Sequence, residues 1–448
     1  MSIQTNLERL AHQEIQERNL INHYLPFRQQ RNKPAEYDFD AIAGDVLSSA
    51  LRIKLKQGYS LESFVERARA AVSSKLSDDS INDFIDQMYF DGSGKSGLFK
   101  VSPEFLLFKA NSAEAGASKH VCRLFRSFLA TRQKEIPLLM NEVNFLEAEL
   151  LSELQENLTS HAPDSTEVPY LPFLAEFFSK DLNFLCQHPS YLLQNTRAFL
   201  GLYNFLYSAQ LALNINAWDS TPETKPLYFI LDTERASVER KQVRESYPWL
   251  KEKVADLFPI LSMLEYFNQI QEKNAPRYPL WRFVEHIKNA SSEEQLVGVK
   301  AMQEFAKNYC AKRGVDIPDQ LPHSEASMVK FLTASAREIF SKRGSSQFTV
   351  NSRVVNAFEN EVAQHFVQSR GRSGRVLILN QDYLLLLTNL AVGEREQLQF
   401  QQLLEAFKNR GIWFDRQSEQ ALINFYERVG NVERMSDSGD AVYVRKTL

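Results

Sequence analysis

Three cysteines in a chain of 448 residues (Cys122, Cys186 and Cys310) lie too far apart for a disulfide framework, and there is no CxxC pair to build a thiolate zinc site. The expected compartment is the reducing cytoplasm. Eight histidines are dispersed, with no HxxEH pattern and no His-rich cluster, so the common metal-ligand spacings are missing as well. Positive charge is also short. A formal net charge of −4 argues against binding nucleic acid through the whole surface, and leaves local contacts or a partner to supply them. No GxSxG elbow, internal repeat or low-complexity tail occurs. The opening MSIQTNLERLAHQEIQERN is polar and charged and predicts no signal peptide. One uncharged stretch, AFLGLYNFLYSAQLALNINA (198–217), approaches bilayer-spanning length. Asn204, Ser208, Gln210, Asn214 and Asn216 interrupt it and no basic flank anchors it, so a buried core helix is expected and no membrane contact.

What the sequence does contain is helical periodicity. Residues 1–25 read as a polar helix, 40–57 and 60–75 as amphipathic helices, and 79–90 as another with Ile81, Phe84, Ile85 and Met88 on one face. Strong helix formers continue over 119–157, and the breaker-rich SHAPDSTEVPYLP (160–172) predicts a boundary or long loop. A block rich in Phe, Leu and Tyr follows. It contains LYFILD (227–232), the best strand candidate in mid-chain, and then a charged helix, TERASVERKQVRE. A second breaker run, RGVDIPDQLPH (313–323), closes that block. The expected organisation is an N-terminal helical domain (1–159), a central helical domain (173–312) with a short strand near 227–232, a helical connector with a basic loop (325–375), and a C-terminal domain (376–448).

The C-terminal domain has the most specific order of elements. VLILN reads as a strand and QDYLLLLTNLAVG as a buried helix stopped by Gly393. REQLQFQQLLEAFKNRG reads as an amphipathic helix ended by Gly411, with Phe400, Leu403, Leu404 and Phe407 inward. IWF is a short strand, and Asp415 is a plausible N-cap for RQSEQALINFYERVG, whose Leu422, Phe425, Tyr426 and Val429 face inward. VERM-SDSGD-AVYVR finishes the chain as a hairpin. Helix, helix, short strand, helix, hairpin is the order of a winged helix, so a mainly α, multidomain fold ending in a winged helix (a helix-turn-helix plus β-hairpin) is expected.

In such a domain the third helix reads the major groove. Its outward stripe would be Gln417, Gln420, Asn424 and Arg428, with Arg416 at its start and Arg434 in the wing, and these side-chain types suit base edges. Local charge opposes tight binding: residues 376–448 hold eight Lys/Arg against ten Asp/Glu. The preceding 340–375 carry six basic and two acidic residues, and SRGRSGR, with Arg370, Arg372 and Arg375, reads as a flexible basic loop able to grip phosphate. A winged helix equally serves protein docking, and the basic loop equally serves as a solvated linker.

Two catalytic patterns are weak. Glu239-Arg240-Lys241 with Asp232 upstream is a short match to a nuclease core, but its lysine falls in a helical run rather than on a second strand. FDGSGKSGLF (90–99) contains Gly-Ser-Gly-Lys-Ser, yet Tyr89 stands where a P-loop needs its first glycine, and the preceding INDFIDQMYF has helical spacing. A glycine-rich turn after a helix is the expected reading. No catalytic residue, cofactor or metal site is expected.

The phrases LNQDYLLLLTNLAVGE, FKNRGIWFD, LINFYERVGNVERMSDSGDAVYV and LYFILDTERAS resemble the DNA phosphorothioation-dependent restriction protein DptG (DndG) family, most strongly over the C-terminal third. That resemblance implies a bacterial antiviral defence system in which DNA carrying sulfur in place of a phosphate oxygen is self and unmodified DNA is restricted. It implies two larger partners with ATPase motifs, and it supplies no catalytic residue. The resulting expectation is a non-catalytic subunit of a multi-subunit complex that docks ATPase subunits and contributes DNA contacts. A nuclease subunit of that complex and a purely structural winged-helix adaptor are the alternatives.

Overall fold

Helical periodicity yields a mainly helical molecule, with sixteen α-helices and nine short strands among the described residues. The structure is a computed structural model and describes the chain except for residues 1, 28–35, 76–79, 91–96, 115, 131, 133–135, 139–142, 162–167, 269–275 and 436–440.

Helix α1 (Ile3–Leu10) begins where the Ser2 side chain accepts from the Thr5 N–H, and it stops far short of the helix expected over 1–25. Residues 11–27 instead run over the body, burying Leu20, Tyr24, Leu25 and Phe27. The Tyr24 hydroxyl bonds the Val168 and Arg277 carbonyls at 2.8 and 3.0 Å. Tertiary burial outweighs the modest helix preference of that stretch. Helix α2 (Phe39–Leu51) exits through Arg52 in the left-handed region, and β1 (Ile53–Leu55) then pairs antiparallel with β2 (Leu158–Ser160). The helix expected to reach residue 57 therefore ends earlier. Helices α3 (Leu61–Lys75) and α4 (Ser80–Tyr89) lie where expected. The single run expected over 119–157 is two helices, α5 (Ser118–Ala130) and α6 (Phe145–Glu156). Pro137 interrupts it, and a reciprocal Asn144–Glu147 capping box starts the second helix.

Gly44 of α2 lies against the 3-10 stretch Pro103–Glu114, and a Cβ there would come within 2.2 Å of the Leu106 carbonyl oxygen. Alanine is the better helix former, but the contact is backbone and cannot rotate away. Gly44→Ala is expected to lower stability by about 1–3 kcal/mol in urea unfolding. Unchanged or raised stability would show that the two segments separate freely.

Prolines open both α7 (Pro172–Cys186) and α8 (Pro189–Asn214), where a missing N–H costs nothing. Helix α8 carries the uncharged stretch, and its polar residues tie down the chain that follows. Gln210 bonds the Lys225 carbonyl and N–H at 2.8 and 2.9 Å, and Asn214 bonds the Glu223 carbonyl at 3.0 Å. Among the described residues no helix is long and apolar enough to cross a membrane. Strand β3 (Leu227–Leu231) follows, then α9 (Lys241–Phe267). The charged helix expected from Thr233 starts only at Lys241, because Glu234 turns back to accept the Leu231 N–H at 2.7 Å and to pair with Arg240. Helices α10 (Leu280–Asn289), α11 (Ser292–Arg313), α12 (Glu325–Ser341) and α13 (Ser346–Ala357) complete the helical body, and α13 widens into a π-helical turn over Phe358–Val362.

The remaining elements are β4 (Val367–Ser369), β5 (Arg375–Leu379), α14 (Gln381–Val392), β6 (Gln397–Gln399), α15 (Phe400–Lys408), β7 (Ile412–Phe414), α16 (Arg416–Val429), β8 (Val432–Met435) and β9 (Ala441–Arg445). The mid-chain strand β3 sits between two of them. The sheet order is β4-β5-β3-β7, with β3 parallel to β5 and β7. Leu227, Phe229 and Leu231 face the main core, where Phe205 of α8 meets Phe229 edge-on at 6.2 Å. Ile230 turns to the other face, onto Val243, Val376 and Ile378. Parallel strands covered on both faces read as unbroken apolar runs, which explains LYFIL and VLIL. The helix expected over REQLQFQQLLEAFKNRG begins only at Phe400, because Gln397–Gln399 pair with β9.

Candidate nucleic-acid interface

Helix α16 starts where predicted: the Asp415 carboxylate caps it by accepting from the Ser418 N–H at 3.0 Å. Its inner face buries Leu422, Phe425 and Tyr426 and half-buries Val429. Its outer face exposes Arg416, Gln417, Gln420, Asn424 and Arg428. Gln420 Nε2 donates to Asn424 Oδ1 at 3.2 Å, and the Arg428 guanidinium stands 5.9 Å from the Phe425 ring centroid. Beside this helix, β6, β9 and β8 form a three-stranded antiparallel sheet in that order, with Leu398 opposite Val444 and Val444 opposite Val432. Arg434 belongs to β8, and its side chain and residues 436–440, where a hairpin turn is expected, lie outside the described residues.

The start of α16 is clamped to the end of β3. Arg240, buried, grips Asp415 with two bonds (Nε to Oδ2 2.8 Å, Nη2 to Oδ1 2.6 Å) and reaches Glu234 Oε2 at 2.9 Å with Nη1. Ser418, also buried, donates to the Glu234 carboxylate at 2.9 Å. Burial pushes the Asp415 carboxyl up, but the Arg240 hydrogen bonds, the Ser418 N–H and the Arg240 charge outweigh it and hold Asp415 below its ordinary value. A depressed carboxyl stabilises the fold fully above its unfolded value of about 3.9 and loses that contribution as pH falls through the lower folded value. Asp415→Asn keeps a capping side chain and removes the charge. It is expected to destabilise by about 1–3 kcal/mol at pH 7, with the gap to wild type narrowing in unfolding below about pH 4. A gap independent of pH would show that the charge is not what the clamp uses.

The basic segment 369–375 is an ordered hairpin rather than a flexible loop. A 3-10 turn at Gly371–Ser373 joins β4 to β5, with Gly371 and Gly374 at positive φ and the Arg370 N–H bonded to the Gly374 carbonyl at 2.7 Å. Arg370 donates inward to the Asp232 carbonyl. Arg375 pairs with Glu359 at 2.9 Å and lies 5.0 Å from the Tyr247 ring centroid. Only Arg372 of the three is exposed and without an ion-pair partner among the described residues.

Of the acidic-Lys pattern, Glu239 and Lys241 are exposed at the start of α9, where Lys241 reaches Glu245 at 4.0 Å. Asp232 is half-buried at the end of β3. Among the described residues no group of three His, Cys, Asp or Glu is placed to hold a metal ion. The Gly-Ser-Gly-Lys-Ser run, 92–96, lies outside the described residues; the segment before it is helix α4, which ends in buried Tyr89.

Sequence reasoning found Asp415 as a cap and missed its partners. Arg240 and Asp415 are 175 positions apart, and no local pattern links them. It also missed a fully buried pair: Arg410 binds Asp181 through Nε at 3.0 Å and Nη2 at 2.6 Å, and the Tyr203 hydroxyl donates to the same carboxylate. That pair fixes the end of α15 to α7 and α8. Compared with known proteins, the chain matches no protein-family model and no curated protein.

Proposed function

We propose that α14, β6, α15, α16, β8 and β9 form a winged helix, and that the protein is a non-catalytic subunit of a bacterial DNA phosphorothioation-dependent restriction complex. In this reading it docks ATPase subunits through its helical surface and adds DNA contacts through α16. The observation that carries the DNA part is the outer face of α16. Arg416 and Arg428 have no carboxylate partner among the described residues, in a chain of net charge −4, and they flank the amides of Gln417, Gln420 and Asn424. Unpaired guanidinium groups supply phosphate attraction, and the amides match base edges. The β6-β9-β8 order supports a winged helix, with β9 between the strand that precedes α15 and the strand that follows α16. Strand β7 departs from the simple motif by joining the parallel sheet, which makes α16 continuous with the body. Glu419 and Glu427 on the same helix weaken phosphate attraction, so binding by this chain alone is expected to be weak and salt-sensitive. The part that rests on the family resemblance is tested by partners. Tagged protein expressed in its host is expected to co-purify with subunits carrying ATPase motifs. Recovery without any such subunit, or plasmid nicking by the isolated chain with Mg²⁺ that Glu239→Ala abolishes, overturns it.

A further inference from the structure

A cavity of about 220 Å³ lies between α8, the first turn of α14 and the π-helical turn at Phe358–Val362, and no residue of α16 lines it. Helix α8 presents Arg197, Gly201 and Asn204 to it at i, i+4 and i+7, one face of the helix. Asn204 is only 5 % exposed, yet its carboxamide has no hydrogen-bond partner among the described residues, and Oδ1 is sealed from solvent without a donor. Gln210 and Asn214 of the same helix are bonded at both amide atoms, so the unpaired Asn204 is not a property of the helix. Gly201 sits in the interior of a 26-residue helix, where glycine is unfavourable. A Cβ there would come 3.3 Å from the Tyr383 hydroxyl, so the glycine keeps space open beside it. The Phe366 and Tyr383 rings meet at a tilt of 50° with centroids 4.6 Å apart, and the Arg197 guanidinium lies 5.3 Å from the Phe39 ring centroid. π-Helical turns occur often at functional sites, and this one lends Glu361 and Val362 to the lining.

We propose that this cavity binds a nucleobase, with the base edge on Asn204, its face against the aromatic wall and its phosphate on Arg197. Because Oδ1 is sealed, the contact falls to Asn204 Nδ2, which can donate to a ring nitrogen or a carbonyl oxygen on a base edge. Aromatic rings receive unstacked bases, and arginine pairs with phosphate. The volume is below the ~300 Å³ of pockets that enclose drug-sized ligands, so the base is enclosed and sugar and phosphate stay at the mouth. A bare anion fits less well, because the Glu361 carboxylate also lines the cavity, where it accepts from the Tyr37 hydroxyl at 3.0 Å. The site stands independently of the α16 reading and of any restriction complex.

Two sources share this chemistry: a free nucleotide and a base of a single strand. The probes are 2-aminopurine nucleoside monophosphate and a single-stranded oligonucleotide carrying one 2-aminopurine, titrated into the full chain. Saturable fluorescence quenching is expected with one or both, and whichever binds assigns the source. Asn204→Leu is expected to weaken binding by about tenfold or more. Its melting temperature should be equal to or above that of wild type, since it removes an unpaired buried amide. Gly201→Leu, which fills the space, should also abolish quenching; if it fails to fold, Arg197→Ala takes its place beside Asn204→Leu. No saturable quenching by either probe, equal quenching in Asn204→Leu, or full displacement by equimolar inorganic phosphate overturns the proposal.

Discussion

Arg410→Ala is expected to destabilise the protein by about 3–5 kcal/mol in urea unfolding. Arg410 and Asp181 are 2 % and 1 % exposed, so removing the guanidinium strands a carboxylate in the core. The rest of the site is built around that charge: Arg410 Nη1 holds the Ala406 carbonyl at 2.8 Å, and its guanidinium covers the Phe177 ring at 4.6 Å. Burial first, then the Asp181 charge, drives the Tyr203 hydroxyl well above its ordinary value, so it stays a neutral donor to the carboxylate. Asp181→Ala should cost a similar amount by stranding the arginine. The paired replacement Arg410→Met with Asp181→Leu should recover most of the loss, because neither charge is then left alone. Additive losses in the double variant would contradict this account.

The second large effect is expected at Arg240. Arg240→Ala leaves the Asp415 and Glu234 carboxylates close together with their shared cation gone, at an expected cost of about 3 kcal/mol. The damage should be local to the start of α16, read as faster amide exchange over Arg416–Gln420. Arg240→Lys should rescue little, since an ammonium group cannot bond Asp415 through two parallel N–H groups while reaching Glu234. Rescue by lysine to wild-type exchange rates would show that charge alone, without the fork, holds the clamp. The consequence is positional: the helix proposed to contact DNA is anchored at its first turn by a residue from mid-chain.

Much of the C-terminal region was legible because its signals are local. Asp415 capping α16, Gly393 and Gly411 at positive φ after their helices, and the inward set Leu422, Phe425 and Tyr426 each follow from residues within a few positions. What escaped depends on distant partners. LYFIL was readable as a strand, but nothing near it says that it lies between β5 and β7. Gln397–Gln399 read as helix until paired with β9, and residues 11–25 read as helix until Tyr24 and Leu25 packed on the body. SRGRSGR looked flexible from composition, yet Arg370 and Arg375 are held by Asp232 and Glu359, which composition cannot reveal. For the same reason Arg372, rather than all three arginines, is the informative position for a phosphate contact.

The most direct measurement for the outer face of α16 is fluorescence anisotropy of a labelled DNA duplex with wild type and Arg416→Glu/Arg428→Glu between 50 and 200 mM salt. Both positions are exposed and have no carboxylate partner among the described residues, and Arg428 gives up only its contact with the Phe425 ring, so the variant should melt close to wild type. The account predicts affinity at least about tenfold weaker at low salt, and a dependence of log K on log salt shallower by about two. Equal affinity and equal slope for the two proteins would contradict it.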